Sequence, residues 1–174
     1  MGWLNLPNLL SLARLALAPF VFAAVLAGRN WTALAILAVA AATDVLDGPI
    51  ARRMHCVTRW GAYADPIADK VLLSSSYVAL GIAGLVPWWL VGLIFGRDLL
   101  ILALAGGALL FTGRRDFPPS VWGKLSTLVQ GLVAVLVLAG ARQEALLWAA
   151  AAVTVWSGVH YLWRACNAPP AGAR

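Results

Sequence analysis

Long runs of Leu, Ala, Val, Ile and Gly alternate along the chain with short polar clusters, and the lengths of the runs set the predicted elements. A helix needs about 20 mostly apolar residues to cross a bilayer. Six stretches meet that length, at roughly 9–28, 31–54, 59–83, 87–112, 120–141 and 145–165. The breaks carry turn or interface chemistry: GRNW at 28–31, MHCVTR at 54–59, GLVP at 84–87, TGRRDFPPS at 112–120 and ARQE at 141–144. Pro87 and Pro119 suit helix starts, where a missing N–H costs nothing. Trp31, Trp60, Trp88, Trp89, Trp122, Trp148 and Trp163 fall near the ends of the runs, as aromatic residues do at a membrane–water boundary.

Composition removes the soluble alternative. Of 174 residues, 62% are hydrophobic and 11% charged, and the mean hydropathy is +0.84; too few polar residues remain to coat a soluble protein of this size. The expected fold class is an all-α integral membrane protein with six transmembrane helices, one domain over 1–168 and a short tail at 169–174. The opening MGWLNLPN has neither the basic start nor the small-residue site of a cleavable signal, so the first helix is expected to stay. The net charge of +6 is spread over loops between apolar runs, which suits anionic lipid headgroups rather than nucleic acid. Cys56 and Cys166 form no framework and read as thiols.

Loop charge also sets the orientation. Arg52, Arg53, Arg59, Arg114, Arg115, Lys124, Arg164 and Arg174 fall on one side and Arg29 and Arg142 on the other, which puts both termini and the RRMHC loop in the cytoplasm. A multi-pass protein of a bacterial inner membrane is expected.

Against this background the acidic residues stand out. Of seven in the chain, Asp44, Asp47, Asp65 and Asp69 lie within 28 positions, TDVLDGPIARRMHCVTRWGAYADPIADK. Asp44, Asp47, Gly48 and Ala51 share one face of the second predicted helix, and Gly61, Asp65 and Asp69 one face of the third. The short loop between these helices makes them antiparallel neighbours, so the stripes can face each other. Four carboxylates at membrane depth repel one another and are costly to remove from water. Divalent cations resolve the conflict, and an all-oxygen donor set favours Mg²⁺, Mn²⁺ or Ca²⁺ over zinc. Two ions about 3.5–4 Å apart would suit phosphoryl displacement. Gly48, Ala51 and Gly61 leave room for a substrate, and Arg52 offers a forked donor for phosphate. Structural ion pairing explains the cluster poorly, because few cations lie at matching depth; Lys70, beside Asp69, points about 100° away.

The residues read D44-x2-D47-G48-x2-A51-R52-x8-G61-x3-D65-x3-D69, which resembles the motif of the CDP-alcohol phosphatidyltransferase family at all eight fixed positions. A chance match is rarer than about one in 10⁸ at average composition. NLPNLLSLARLALAP at 5–19, GRD at 96–98 and SVWGKLSTLVQ at 120–130 resemble the family's other stretches. The resemblance implies a six-helix membrane enzyme with the CDP-alcohol phosphotransferase fold, generally a homodimer. Such an enzyme transfers a phosphatidyl or related group from CDP-diacylglycerol or another CDP-linked donor to an alcohol, releasing CMP. It further implies that Asp44, Asp47, Asp65 and Asp69 hold two Mg²⁺ or Mn²⁺ ions and that Asp69 is the general base. Asp47, Gly48, Ala51, Arg52 and Gly61 would then form the CDP site.

The acceptor is read from elsewhere. Arg97 lies deep in the fourth helix, where an unpaired cation is expensive, and Asp98 is set aside as its partner because i, i+1 residues do not face each other. Arg97 and Lys124 are therefore expected to bind an acceptor phosphate, with a structural ion pair the alternative for Arg97 and a snorkelling lysine for Lys124. Family members that use glycerol 3-phosphate often carry a second arginine where this chain has Ala105. The run from Tyr63 to Asp98 and FPPSVWGKLSTLVQ resemble the CMP-forming cardiolipin synthases, so phosphatidylglycerol is the expected acceptor, with glycerol 3-phosphate the alternative. Asn8, Ser11 and Arg14 resemble the family's opening segment, which approaches the nucleotide; an amphipathic interfacial start is the other reading. Thr58 reads as a helix cap, and His55 and His160 as interfacial. A cation-coupled transporter would also use intramembrane aspartates, but it predicts broken helices and an inverted repeat that the sequence lacks.

Overall fold

The computed structural model describes the backbone of residues 6–54, 61–112, 120–141 and 143–167, and the burial of side chains at 12–43, 70–104, 120–141 and 143–167. Among the described residues the secondary structure is helical, with no strand. The helices are α1 (Leu6–Leu26), α2 (Asn30–Met54), α3 (Gly61–Ile82), α4 (Trp88–Thr112), α5 (Val121–Leu138) and α6 (Glu144–Cys166). Every boundary falls within three residues of the one expected from the apolar runs. Thr58, His55, Trp60, Cys56 and the tail lie outside the described residues.

Local chemistry explains the ends. α1 stops at Gly28, whose φ of +69° needs a residue without a Cβ. Gly28 N–H then donates to Val25 O and Arg29 N–H reaches back to Ala24 O at 2.9 Å, the paired closure that satisfies the last carbonyls of a helix. α3 closes in the same way at Gly84, with Leu85 N–H on Leu80 O at 2.9 Å. Pro19 lies inside α1, which forgoes one backbone bond there without ending.

The chain divides into two compact units, 1–86 with 134–141 and 87–133 with 142–174. In the first, α1 packs on α2 and α3. Its buried face is Arg14, Ala18, Val21 and Val25, at alternating four- and three-residue spacing, and Ala33 and Ala40 of α2 and Ala79 and Leu80 of α3 are buried in the same unit. The alanines allow close backbone approach. Arg14 is only 2% exposed, so the part of α1 that bears it is packed against protein and does not lie along an interface.

In the second unit α4 packs on α6. The buried residues of α6 are Ala150, Ala151, Thr154, Ser157, Gly158 and Tyr161, whereas Trp148, Val155, Trp156, Val159, Leu162 and Trp163 are exposed. The helix is thus polar and small inside, large and apolar outside, the reverse of a helix in water. Among the described residues, α5 and α6 are each long and apolar enough to cross a membrane. Trp89 stacks on Trp148 with centroids 5.1 Å apart, and Trp122 meets Trp156 edge-on at 5.8 Å.

α5 and α6 are joined by side-chain hydrogen bonds. Gln130 Nε2 donates to Thr154 Oγ1 at 2.9 Å and to Ser126 Oγ at 3.2 Å. Interhelical bonds of this kind are worth about 0.5–2 kcal/mol in a membrane. Thr154→Val keeps the shape and removes the acceptor, and should lower the melting temperature in detergent by a few degrees, read by thermal unfolding.

Candidate active site

The eight motif positions fall on two unbroken helices of the first unit. Asp44, Asp47, Gly48, Ala51 and Arg52 lie within α2, Gly61 opens α3, and Asp65 and Asp69 lie in its first turns. The helical register behind the expected stripes is therefore present in the backbone. The side chains of these residues and of Asn8 and Ser11 lie outside the described residues, as does the facing of the two stripes. Among the described residues no three His, Cys, Asp or Glu side chains gather as a metal site. The motif itself supplies only carboxylate oxygens to an ion, with no thiolate or imidazole, and that donor set fits Mg²⁺ or Mn²⁺.

Arg97 can be followed atom by atom. It lies on the buried face of α4 with Leu90, Val91 and Ile94, and is 7% exposed. Its Nη1 donates to Asp98 Oδ1 at 2.7 Å. Its Nη2 donates to Ser157 Oγ at 2.8 Å and to the Gly123 carbonyl at 3.3 Å, and its Nε to Ser157 Oγ at 3.3 Å. The guanidinium carbon lies 5.9 Å from the centre of the Tyr161 ring, within cation–π range.

The ion pair with Asp98 corrects the expectation that the neighbouring carboxylate could not serve. The i, i+1 rule describes where Cβ atoms point. The arginine side chain is long enough to lean its planar head sideways and meet a short aspartate. A buried cation left without its counter-charge would cost about 3–5 kcal/mol, and the pair with Asp98 offsets that cost.

The start of α5 is built by α6. Ser120 caps the helix, its Oγ accepting from Trp122 N–H at 3.2 Å. The backbone N–H of Ser120 donates to Tyr161 Oη at 2.9 Å, and Ser120 Oγ lies 3.3 Å from His160 Nδ1. His160, expected to be interfacial, thus helps hold a cap. Gly123 in the next turn sits so close to α6 that a Cβ there would lie 2.7 Å from Tyr161 Oη and 3.3 Å from Arg97 Nη2. Lys124 follows at once and is exposed. Arg97 thus reaches the first turn of α5 through the Gly123 carbonyl, one residue before Lys124 in the chain. The sequence reading missed Ser157, Tyr161 and Gly123. The first two left a signal in S157-G158-x-x-Y161, two small residues and a tyrosine one turn apart in an otherwise greasy helix, whereas Gly123 left none.

The comparisons with known proteins agree with the motif. Residues 4–156 match the CDP-alcohol phosphatidyltransferase family model. A probable phosphatidylglycerophosphate synthase of Mycobacterium tuberculosis is 38% identical, the match covering 92% of this chain and 81% of that protein. A putative cardiolipin synthase of the same organism is 34% identical, covering 92% and 78%. The CDP-diacylglycerol–glycerol-3-phosphate 3-phosphatidyltransferase of Bacillus subtilis is 32% identical, covering 90% and 93%. With its motif on α2 and α3 and a family match that runs through nearly all of its helices, the chain belongs to the CDP-alcohol phosphatidyltransferase family.

Proposed function

We propose that the protein transfers the phosphatidyl group of CDP-diacylglycerol to phosphatidylglycerol, forming cardiolipin and releasing CMP. The observation that carries the transfer is the set of eight motif residues on two unbroken helices of one unit. In this reading Asp44, Asp47, Asp65 and Asp69 hold two divalent ions, and Asp47, Gly48, Ala51, Arg52, Gly61 and Asn8 line the CDP site. The ions, when bound, neutralise the diphosphate and the charge that gathers on departing CMP. Asp69 takes the proton of the acceptor hydroxyl as its oxygen bonds to the phosphatidyl phosphorus and the bond to CMP breaks. Arg97 and Lys124 hold the acceptor's phosphate. The excess of loop cations on one side supports a multi-pass arrangement with a cytoplasmic site, and the outward apolar face of α6 supports contact with lipid. The resemblance supports a homodimer. Family membership leaves no support for a transporter.

The Arg97–Asp98 pair favours the singly charged phosphodiester of phosphatidylglycerol, because part of the arginine's charge is already compensated. Glycerol 3-phosphate is the second reading, favoured by the names of the Mycobacterium tuberculosis synthase and the Bacillus subtilis enzyme. Purified protein offered phosphatidylglycerol, glycerol 3-phosphate, inositol phosphate and serine in parallel, with CDP-diacylglycerol and Mg²⁺, separates them by the lipid formed. Cardiolipin is the expected product. Phosphatidylglycerophosphate as the main product would replace the first reading with the second, and no CMP release with any acceptor would remove both.

A further inference from the structure

We infer that Ser157 and Tyr161 of α6 are positioning residues for the acceptor: they fix Arg97 and the first turn of α5, and through these set the affinity for the acceptor's anionic group without touching either substrate. The inference rests on the reading of Arg97 and Lys124 as acceptor ligands.

The geometry is specific. Ser157, fully buried, places one hydroxyl oxygen where it accepts from both Nη2 and Nε of Arg97. Two contacts from the same oxygen fix the rotation of the guanidinium plane, which a single contact would leave free. Asp98 engages Nη1 from the opposite end, so the fork is held at both ends. Tyr161, one turn further along α6, lends its ring to the guanidinium and its oxygen to the Ser120 N–H. That tyrosine therefore couples the orientation of Arg97 to the position of the α5 cap, four residues before Lys124. Gly123 completes the arrangement by being absent as a side chain. Its carbonyl accepts from Arg97 Nη2 at 3.3 Å and from Thr127 Oγ1 at 3.1 Å, and a methyl group there would collide with Tyr161 Oη. These contacts take four of the five guanidinium N–H groups and leave one on Nη1 for the acceptor's anionic group; a donor held in place in this way loses less freedom when the ligand binds.

The experiment compares the full-length protein with Ser157→Ala, Tyr161→Phe, Gly123→Ala, the Gly123→Ala/Tyr161→Phe double variant and Arg97→Lys. KM is measured separately for CDP-diacylglycerol and for phosphatidylglycerol or glycerol 3-phosphate, whichever supports turnover. Ser157→Ala should raise the acceptor KM about tenfold, and Tyr161→Phe about threefold, with the CDP-diacylglycerol KM unchanged. Gly123→Ala should raise the acceptor KM further. Adding Tyr161→Phe to it should restore part of the loss in acceptor KM, since the closest obstruction is the tyrosine oxygen; a merely structural role predicts that the rescue appears in thermal stability and in both KM values alike. Acceptor KM values that stay at the parent level in Ser157→Ala and Gly123→Ala, or both KM values rising in step with lost thermal stability, would overturn the inference. Arg97→Lys separates the two levels. If it raises the acceptor KM while the α6 variants do not, the positioning role fails alone; if it leaves that KM unchanged, the acceptor assignment fails and this inference with it.

Discussion

Asp69→Asn is expected to lower CMP release from CDP-diacylglycerol by at least about 10²–10⁴-fold, the contribution of proton transfer alone. The substitution keeps the shape of the side chain but removes the charge and the basic oxygen. In the proposed reaction the acceptor hydroxyl is a poor nucleophile until a carboxylate takes its proton, and no other group in the motif is assigned that task. Donor binding should persist, because the proposed site keeps its other carboxylates and Arg52 for the diphosphate. The readout is CMP release together with retention of CDP-diacylglycerol by the variant. Asp116→Asn, which lies between α4 and α5 in the sequence and outside the motif, serves as the control and should retain full activity. Turnover in Asp69→Asn within a few-fold of the parent would remove Asp69 as the base.

Stripping divalent ions is expected to bring CMP release to background, and Mg²⁺ or Mn²⁺ to restore it. The argument is electrostatic. In the proposed site four carboxylates would gain a diphosphate as ligand only if positive charge lay between them, and Arg52 alone does not supply enough. Activity that survives excess chelator would overturn the metal assignment. Asp44→Asn gives a graded version of the same test. It should move the half-activating Mg²⁺ concentration upward by at least about tenfold, since even partners one step removed from a metal shift its affinity by 10–100-fold.

How much could be read from the sequence differs between helix positions and helix contacts. The six helices follow from apolar runs of spanning length, and their ends from Gly28, Gly84 and Pro87, because these are local properties of the chain. The motif was legible because its spacing repeats the helix period. The surroundings of Arg97 were not. Ser157 lies 60 positions away, and nothing in a hydropathy pattern indicates which serine on which helix will meet a buried arginine. Asp98 was misread for a different reason: a rule about Cβ directions was applied to an arginine long enough to escape it. Gly123 could not have been singled out among the chain's 16 glycines, because its requirement comes from Tyr161 on a separate helix.

The inverted face of α6 has a consequence for anyone redesigning the protein. Its outward positions, Trp148, Val155, Val159 and Leu162 among them, are defined by greasiness and girth, so one bulky hydrocarbon can stand in for another. Its inward stripe is specified group by group, down to the placement of single hydroxyls. A water-soluble version would therefore be sought by repainting the outside alone, leaving Thr154, Ser157, Gly158 and Tyr161 untouched as the part of the helix that carries information.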